Sequence, residues 1–263
     1  MDTVILIPAR YASTRYPGKP LVVLEGADGP KSLIQRSWEA AKAVPEADAV
    51  FVCTDDARIA EAARAFGADV IMTDEACRNG TERCADALAK ASLDPKLVVN
   101  LQGDAPLTPS WFLSELIAAM KADEGLDAAT PVLRCDPETL EMFLEDRRNG
   151  RVGGTTAVFT VKNDALYFSK EVIPYTGGKT FAAGDVPVFH HVGVYAYRPR
   201  ALAAYGSWPE GTLEKLEGLE QLRFLENGAR LKCVEVEGRG RVFWELNNPE
   251  DVARIESILK KEA

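Results

Sequence analysis

Histidine is the scarcest resource of this chain: 263 residues contain two, adjacent at His190 and His191, too few for a histidine-rich zinc centre. Cysteine is nearly as uninformative. Five thiols (Cys53, Cys77, Cys84, Cys135 and Cys233) make an odd, scattered set without a CxxC pair, which reads as buried or idle thiols in a reducing cytosol. Long apolar runs are missing too. No segment approaches the roughly 18 apolar residues of a membrane span, and the run Val4–Ile7, preceded by Asp2, is too short for a signal sequence. A cytoplasmic location is the expectation. Positive charge is in deficit, with 31 Lys and Arg against 40 Asp and Glu and a formal charge of −9. Such a surface repels nucleic acid and anionic membranes, so neither is an expected partner, and an anionic substrate requires a local basic pocket. Catalysis must rest on Arg, Lys, Asp and Glu. What is present, 46% hydrophobic and 27% charged residues with 20 Gly and 15 Pro, suits an ordinary globular protein.

The first half alternates short apolar runs with helical periodicities. Val4–Ile7, Val50–Cys53, Val70–Met72 and Leu97–Leu101 read as strands. Between and after them, Ser32–Val44 (capped by Ser32), Ala57–Phe66 (stopped by Gly67), Thr81–Ala91 and Trp111–Ala122 read as helices. Strands alternating with helices of this length predict βαβ units: an α/β fold, Rossmann-like, with a mostly parallel central sheet and helices on both faces. In the second half Thr155–Val161 and Val188–Tyr197 read as longer strands, followed by a helix over Leu213–Asn227, a strand over Leu231–Val236 and a last helix over Glu250–Lys260. With no repeat, low-complexity tract or linker, the expectation is one domain over 1–263. A strand-rich arm at about 150–200, with recurring apolar and aromatic residues, is its expected surface for a partner chain.

Two segments carry the chemistry. After the first strand comes Pro8-Ala9-Arg10-Tyr11-Ala12-Ser13-Thr14-Arg15-Tyr16-Pro17-Gly18-Lys19-Pro20, which gathers three cations and two hydroxyls within ten positions. Ligands of open α/β sheets sit beyond the carboxyl ends of the strands, where this loop must lie. Small residues let backbone N–H groups approach phosphate oxygens, Arg10 and Arg15 can fork onto phosphates, and Lys19 adds a point charge. The segment is neither GxGxxG nor Walker A, which argues against NAD and P-loop readings. The second segment, Val98-Val99-Asn100-Leu101-Gln102-Gly103-Asp104, delivers a carboxylate to the same edge, where Asp104 can hold Mg²⁺.

These segments stand in one sequence with Asn79-Gly80-Thr81-Glu82-Arg83, Ala165-Leu166-Tyr167-Phe168-Ser169, His191-Val192-Gly193-Val194-Tyr195 and Leu219-Glu220-Gln221-Leu222-Arg223. Together, in order from Ile5 to Asp251, they resemble the 3-deoxy-manno-octulosonate cytidylyltransferases (CMP-Kdo synthetases). The resemblance implies a nucleotide-diphospho-sugar transferase fold and a homodimer. It also implies a reaction of CTP with the acidic 2-keto sugar Kdo, using Mg²⁺ and releasing pyrophosphate, that feeds lipopolysaccharide biosynthesis. Carried over by position, it places Arg10, Ser13, Arg15 and Lys19 on the CTP phosphates, and Thr54, Asp55, Asn79, Gly80 and Thr81 around the cytidine. Arg83, Gln102, His191, Glu217 and Gln221 would line the sugar-acid pocket, with Glu217 and Gln221 on one helical face, and Asp104 would ligate the metal. Arg10, Lys19 and Asp104 are the residues it assigns to catalysis.

Three positions depart from the family pattern. Ala105 follows Gln102-Gly103-Asp104 where the family usually has Glu, and Asn247 stands where it has its second metal-binding Asp. Residues 245 and 247 share a side if that segment is a strand, so Glu245 is the expected replacement carboxylate beside Asn247. Gly153 to Val158 replace a Val-Lys-Val-Val strand near the sugar. The acceptor therefore stays open between Kdo, an 8-amino Kdo and another 2-keto sugar acid. A different nucleotide or sugar on the same fold, and a nucleotide-binding relative without turnover, are the competing readings.

Overall fold

The computed structural model describes residues 1–12, 16–152, 154–240, 246 and 248–261. Strand β1 (Thr3–Ala9) is buried along its whole length, as expected for a strand with neighbours on both edges and helices on both faces. The chain continues through a hairpin, β2 (Val23–Gly26) and β3 (Gly29–Ser32), into α1 (Leu33–Lys42), β4 (Ala49–Thr54), α2 (Ala57–Ala65) and β5 (Asp69–Met72). Next come α3 (Gly80–Ala91), β6 (Leu97–Leu101), α4 (Ser110–Ala122), β7 (Ala128–Arg134) and α5 (Pro137–Arg148). The second half holds β8 (Thr156–Phe159), β9 (Ala165–Ser169), β10 (Phe189–His191), β11 (Val194–Tyr197) and α6 (Pro199–Ser207). Two short helices, α7 (Thr212–Glu217) and α8 (Leu222–Glu226), lead to β12 (Leu231–Glu235) and α9 (Asp251–Leu259).

The sheet order among the described residues is β5-β4-β1-β6-β11-β7-β10-β8-β9, with β12 on β7. The β5-β4-β1-β6 half is parallel, so the carboxyl ends of β1, β4 and β6 emerge along one edge. Alternation sends Ile5 and Ile7 of β1 into a core shared with α1, α2 and α4. Val4 and Leu6 face the opposite core, formed with α3, α6 and α8. This is the α/β fold with helices on both faces that the apolar periodicity predicts. Ser32 caps α1 by accepting from the Gln35 N–H, and the expected strand Leu97–Leu101 is β6 to the residue. Strands β8 to β11, the expected arm, join the sheet through antiparallel pairs.

Two expectations need correction. The strand predicted over Val188–Tyr197 is broken by a tight turn, in which the Val194 N–H donates to the Val192 carbonyl at 2.7 Å. The break serves two neighbours: β10 pairs with β8, while β11 pairs with β6, and both lie on the same flank of β7. The helix predicted over Leu213–Asn227 is also interrupted. Gly218 adopts φ +63°, a left-handed conformation that ends α7 as a C-cap, and α8 restarts at Leu222. Glu217 and Gln221 therefore do not share one helical face.

Candidate active site

Three chain segments meet at the carboxyl edge of the parallel strands. The first leaves β1 through Arg10 and Tyr11 and returns at Gly18, whose N–H donates to the Tyr11 carbonyl at 2.9 Å. That closure brings Lys19 back to the same cavity as Arg10. The second leaves β6 through Gln102, Gly103 and Asp104. Here Lys19 Nζ lies 2.7 Å from Asp104 Oδ2, with side-chain exposures of 14% and 31%. A pair this sheltered is screened less than a surface ion pair. The third is the N-terminus of α3, where the Asn79 side chain caps the helix by accepting from the Glu82 N–H at 2.8 Å. The helix dipole makes such an end receptive to anions, and the Thr81 N–H there already holds the Glu220 carboxylate at 3.0 Å.

These segments enclose a cavity of about 360 Å³, lined by Arg10, Lys19, Arg78, Asn79, Gly80, Arg83, Gln102, Asp104 and Glu220, among others. The cationic turn and the acidic strand end thus face one space, as the sequence requires for a single nucleotide to touch both. Two glycines permit the closeness. A β-carbon on Gly80 would lie 2.5 Å from Gln102 Nε2, and one on Gly103 would meet the Pro8 carbonyl oxygen at 2.9 Å. Because backbone cannot yield as a flexible side chain can, Gly103→Ala is expected to destabilise the fold by about 2 kcal/mol. That corresponds to a fall in Tm of roughly 5 °C, and an unchanged thermal melt would contradict the close approach.

Of the residues singled out from sequence, Arg10, Lys19, Asn79, Gly80, Arg83, Gln102 and Asp104 line the cavity. Arg83 is 3% exposed and pairs with Asp55 at 2.9 Å, so Asp55 holds that guanidinium in place. Thr54 and Thr81 are fully buried; the Thr81 hydroxyl lies 2.8 Å from the Tyr197 hydroxyl. Thr54, Asp55 and Thr81 are thus behind the lining and not part of it, and three more predicted residues are absent from it too. Glu217 accepts from the Ser169 hydroxyl at 2.6 Å and the Lys170 N–H at 2.9 Å, tying β9 to α7. Gln221 is buried and accepts from the Tyr195 hydroxyl at 3.1 Å. His191 is buried, with Nε2 2.9 Å from the Thr130 hydroxyl. Ser13, Arg15, Glu245 and Asn247 lie outside the described residues. Leu246, however, donates its N–H to the Asp104 carbonyl at 3.0 Å, so that one residue lies beside Asp104.

Burial lowers the His190 and His191 pKa values to about 4 and about 3. The unfolded chain therefore binds protons that the folded one refuses, and stability is complete above the unfolded value and falls as pH drops through that window. For one such histidine the loss at pH 5 is about 2 kcal/mol. Urea midpoints at pH 7 and pH 5 should show it, with a smaller drop in His191→Gln; equal drops would contradict this origin.

Two cavity residues escaped the sequence reading. Arg78 adds a fourth cation and is tied to Glu82 and Glu210; the only signal was its place one residue before a helix cap. Glu220 accepts from Gln102 Nε2 at 3.1 Å and from the Thr81 N–H at 3.0 Å. Burial raises its pKa, opposed by the Thr81 hydrogen bonds. It went unseen because an unbroken helix would have aimed its neighbours, not it, at the site.

A phosphate-receptive rim of cations and a carboxylate, at the open edge of a doubly covered α/β sheet, defines a nucleotide-handling transferase. The chain belongs to the cytidylyltransferase family, whose sequence pattern matches residues 4–233. It is 43% identical over 262 residues to a 3-deoxy-manno-octulosonate cytidylyltransferase of Maricaulis maris, covering 100% of this chain and 98% of that one. It is 38% identical to an 8-amino-3,8-dideoxy-manno-octulosonate cytidylyltransferase of Shewanella amazonensis, covering 99% of both. Among solved structures, it is similar to a CMP:2-keto-3-deoxy-manno-octonic acid synthetase complexed with CTP. That similarity has a TM-score of 0.85 and 31% identity, and covers 100% of both chains.

Proposed function

We propose that this protein joins 3-deoxy-manno-octulosonate to CTP, forming CMP-Kdo and pyrophosphate for lipopolysaccharide biosynthesis. The observation that carries the reading is the meeting of Lys19 and Asp104 in one cavity with Arg10. The anomeric C2 hydroxyl oxygen attacks the α-phosphorus in line. A P–O bond to the sugar forms, the bond to the pyrophosphate oxygen breaks, and the hydroxyl proton passes to solvent. Both reactants are anions, so catalysis is mainly positioning and charge neutralisation. Arg10 and Lys19, with Arg15, stabilise charge building on the leaving group. The α3 N-terminus at Asn79 and Gly80 receives the nucleotide, with Thr54, Asp55 and Thr81 behind it. Arg83 offers a cation to the sugar carboxylate, and Gln102, held by Glu220, offers its amide to a hydroxyl.

Mg²⁺ is the proposed cofactor. Among the described residues no group of three His, Cys, Asp or Glu side chains is gathered for a metal. Asp104 already faces a cation at 2.7 Å, and one carboxylate completed by substrate phosphates is an ordinary Mg²⁺ donor set. Asp104 would hold the ion, with Glu245 and Asn247 as further candidates. When bound, Mg²⁺ offsets triphosphate charge and makes the sugar hydroxyl more acidic. A homodimer in the cytoplasm completes the reading. Exposed Val161, Leu166 and Tyr175, in and beside the strand-rich arm, support a second copy there, and no helix among the described residues is long and apolar enough to cross a membrane. Light scattering should give twice the chain mass; a monomer at micromolar concentration would remove the dimer.

The 38% identity to an 8-amino-sugar enzyme favours one second reading: the same chemistry on the amino sugar. Pyrophosphate release from CTP and Mg²⁺, with Kdo, its 8-amino analogue and a sialic acid in parallel, separates them. Turnover with none of the three would defeat the proposal.

A further inference from the structure

Arg223 is fully buried, and nothing in the proposed chemistry uses it. Its Nε and Nη2 donate to both oxygens of Glu214 at 2.7 and 2.6 Å. Its Nη1 donates to Glu82 at 3.1 Å, and its guanidinium carbon lies 4.1 Å from the centre of the Tyr205 ring. Filling this space with an apolar side chain would avoid the desolvation of three charges, so the network has something to fix.

Its connections close a ring around the cavity wall. Glu82 sits in the first turn of α3 and donates its N–H to the Asn79 cap. Asn79 Nδ2 donates to the Tyr205 hydroxyl at 3.0 Å, and that hydroxyl lies 3.2 Å from the Glu220 carbonyl oxygen. The same carbonyl accepts from the Arg223 N–H at 3.3 Å, returning to the start. Two cavity edges distant in sequence, Arg78 to Gly80 on one side and Glu220 on the other, are thus joined through Arg223, whose guanidinium grips Glu82 and whose backbone N–H holds the Glu220 carbonyl, alongside the direct bond from the Thr81 N–H to the Glu220 carboxylate. Helix α8 holds only five residues, from Leu222 to Glu226, and follows a break at Gly218; helical propagation alone would hold the Glu220 turn weakly.

We infer that Arg223 is a positioning residue, fixing the α3 N-terminus and the Glu220 turn against each other so that both substrates meet one preformed wall. The part of this inference that concerns turnover rests on the cytidylyltransferase reading. A lysine keeps the charge but cannot grip both Glu214 oxygens, reach Glu82 and stack on Tyr205 together.

The test compares wild-type protein with Arg223→Lys and Glu82→Gln. Amide hydrogen exchange in peptides covering 77–83 and 218–222 is expected to accelerate about tenfold or more in both variants, while β1 and β4 exchange as in wild type. KM for CTP or the sugar acid should rise at least about fivefold. A residue that only stabilises the fold would lower the active fraction, and hence kcat, and leave KM unmoved. Wild-type exchange in those two segments, or KM within about twofold of wild type, overturns the inference. If Arg223→Lys does not fold, Glu82→Gln, which leaves the Arg223–Glu214 pair whole, decides alone. If wild-type protein turns over none of the sugars, the function fails while the exchange comparison still decides the tie.

Discussion

Lys19→Ala is expected to lower kcat with CTP by about two decades or more, because one preorganised cation facing a developing anion is worth several kcal/mol. The expectation follows from placement. Lys19 is 14% exposed, at the start of a short helical turn that the Gly18–Tyr11 hydrogen bond returns to the cavity. Water replaces its ammonium poorly there. The alanine variant also leaves Asp104 without its 2.7 Å partner, so Lys19→Arg is the informative companion: it restores the charge but not its shape, and should recover only part of the rate. Thermal stability should change little, since Lys19 contributes to a rim and not to the core. Near-normal turnover of the alanine variant would contradict its role in the reaction.

Asp104→Asn is expected to be as damaging, by about two to four decades in kcat/KM. The asparagine keeps size and one carbonyl oxygen but loses the charge that would hold Mg²⁺. The distinguishing readout is the metal titration. Half-maximal activity should need a much higher Mg²⁺ concentration than in wild type, whereas a residue that only orients Lys19 would lower the rate without moving that midpoint. An unchanged Mg²⁺ midpoint removes Asp104 from the metal site. The Leu246 N–H bond to the Asp104 backbone carbonyl is independent of the side chain and should survive the substitution.

The parallel half of the sheet was legible because its signals are local. Apolar runs with helical stretches between them, Ser32 as a cap and Gly67 as a stop describe the elements from β1 to α4 to within about two residues at each end, apart from the β2–β3 hairpin, which was missed. The rim was legible for the same reason, since Arg10, Lys19, Gln102 and Asp104 follow directly on β1 and β6. Readability failed where long-range pairing decides local structure. In Val188–Tyr197 the one local mark of the turn is Gly193, which the strand reading passed over; the turn exists because the two halves serve different neighbours. The break at Gly218 was passed over because the surrounding periodicity is helical on both sides. That single left-handed residue redirects the segment after it, bringing Glu220 to the cavity while Glu217 and Gln221 stay occupied by Ser169 and Tyr195. Strand β7 and helices α5 and α6 were also missed. β7 is a short, mostly buried run that accepts partners on both flanks, and periodicity gives such a run no signature.

The hydrogen bond from Leu246 to Asp104 has a consequence for how the protein is made. Lys19, Asp104 and Leu246 come from the beginning, middle and end of the chain, yet they meet at one point. Strands β1, β4, β5 and β6 all lie between Thr3 and Leu101 and can pair locally, whereas the Asp104 contact waits for Leu246, far along the chain. Closing so long a loop is slow relative to local helix formation. Until Leu246 arrives, the Asp104 carbonyl would lack this partner although the strands that carry the cationic turn and Asp104 are already paired.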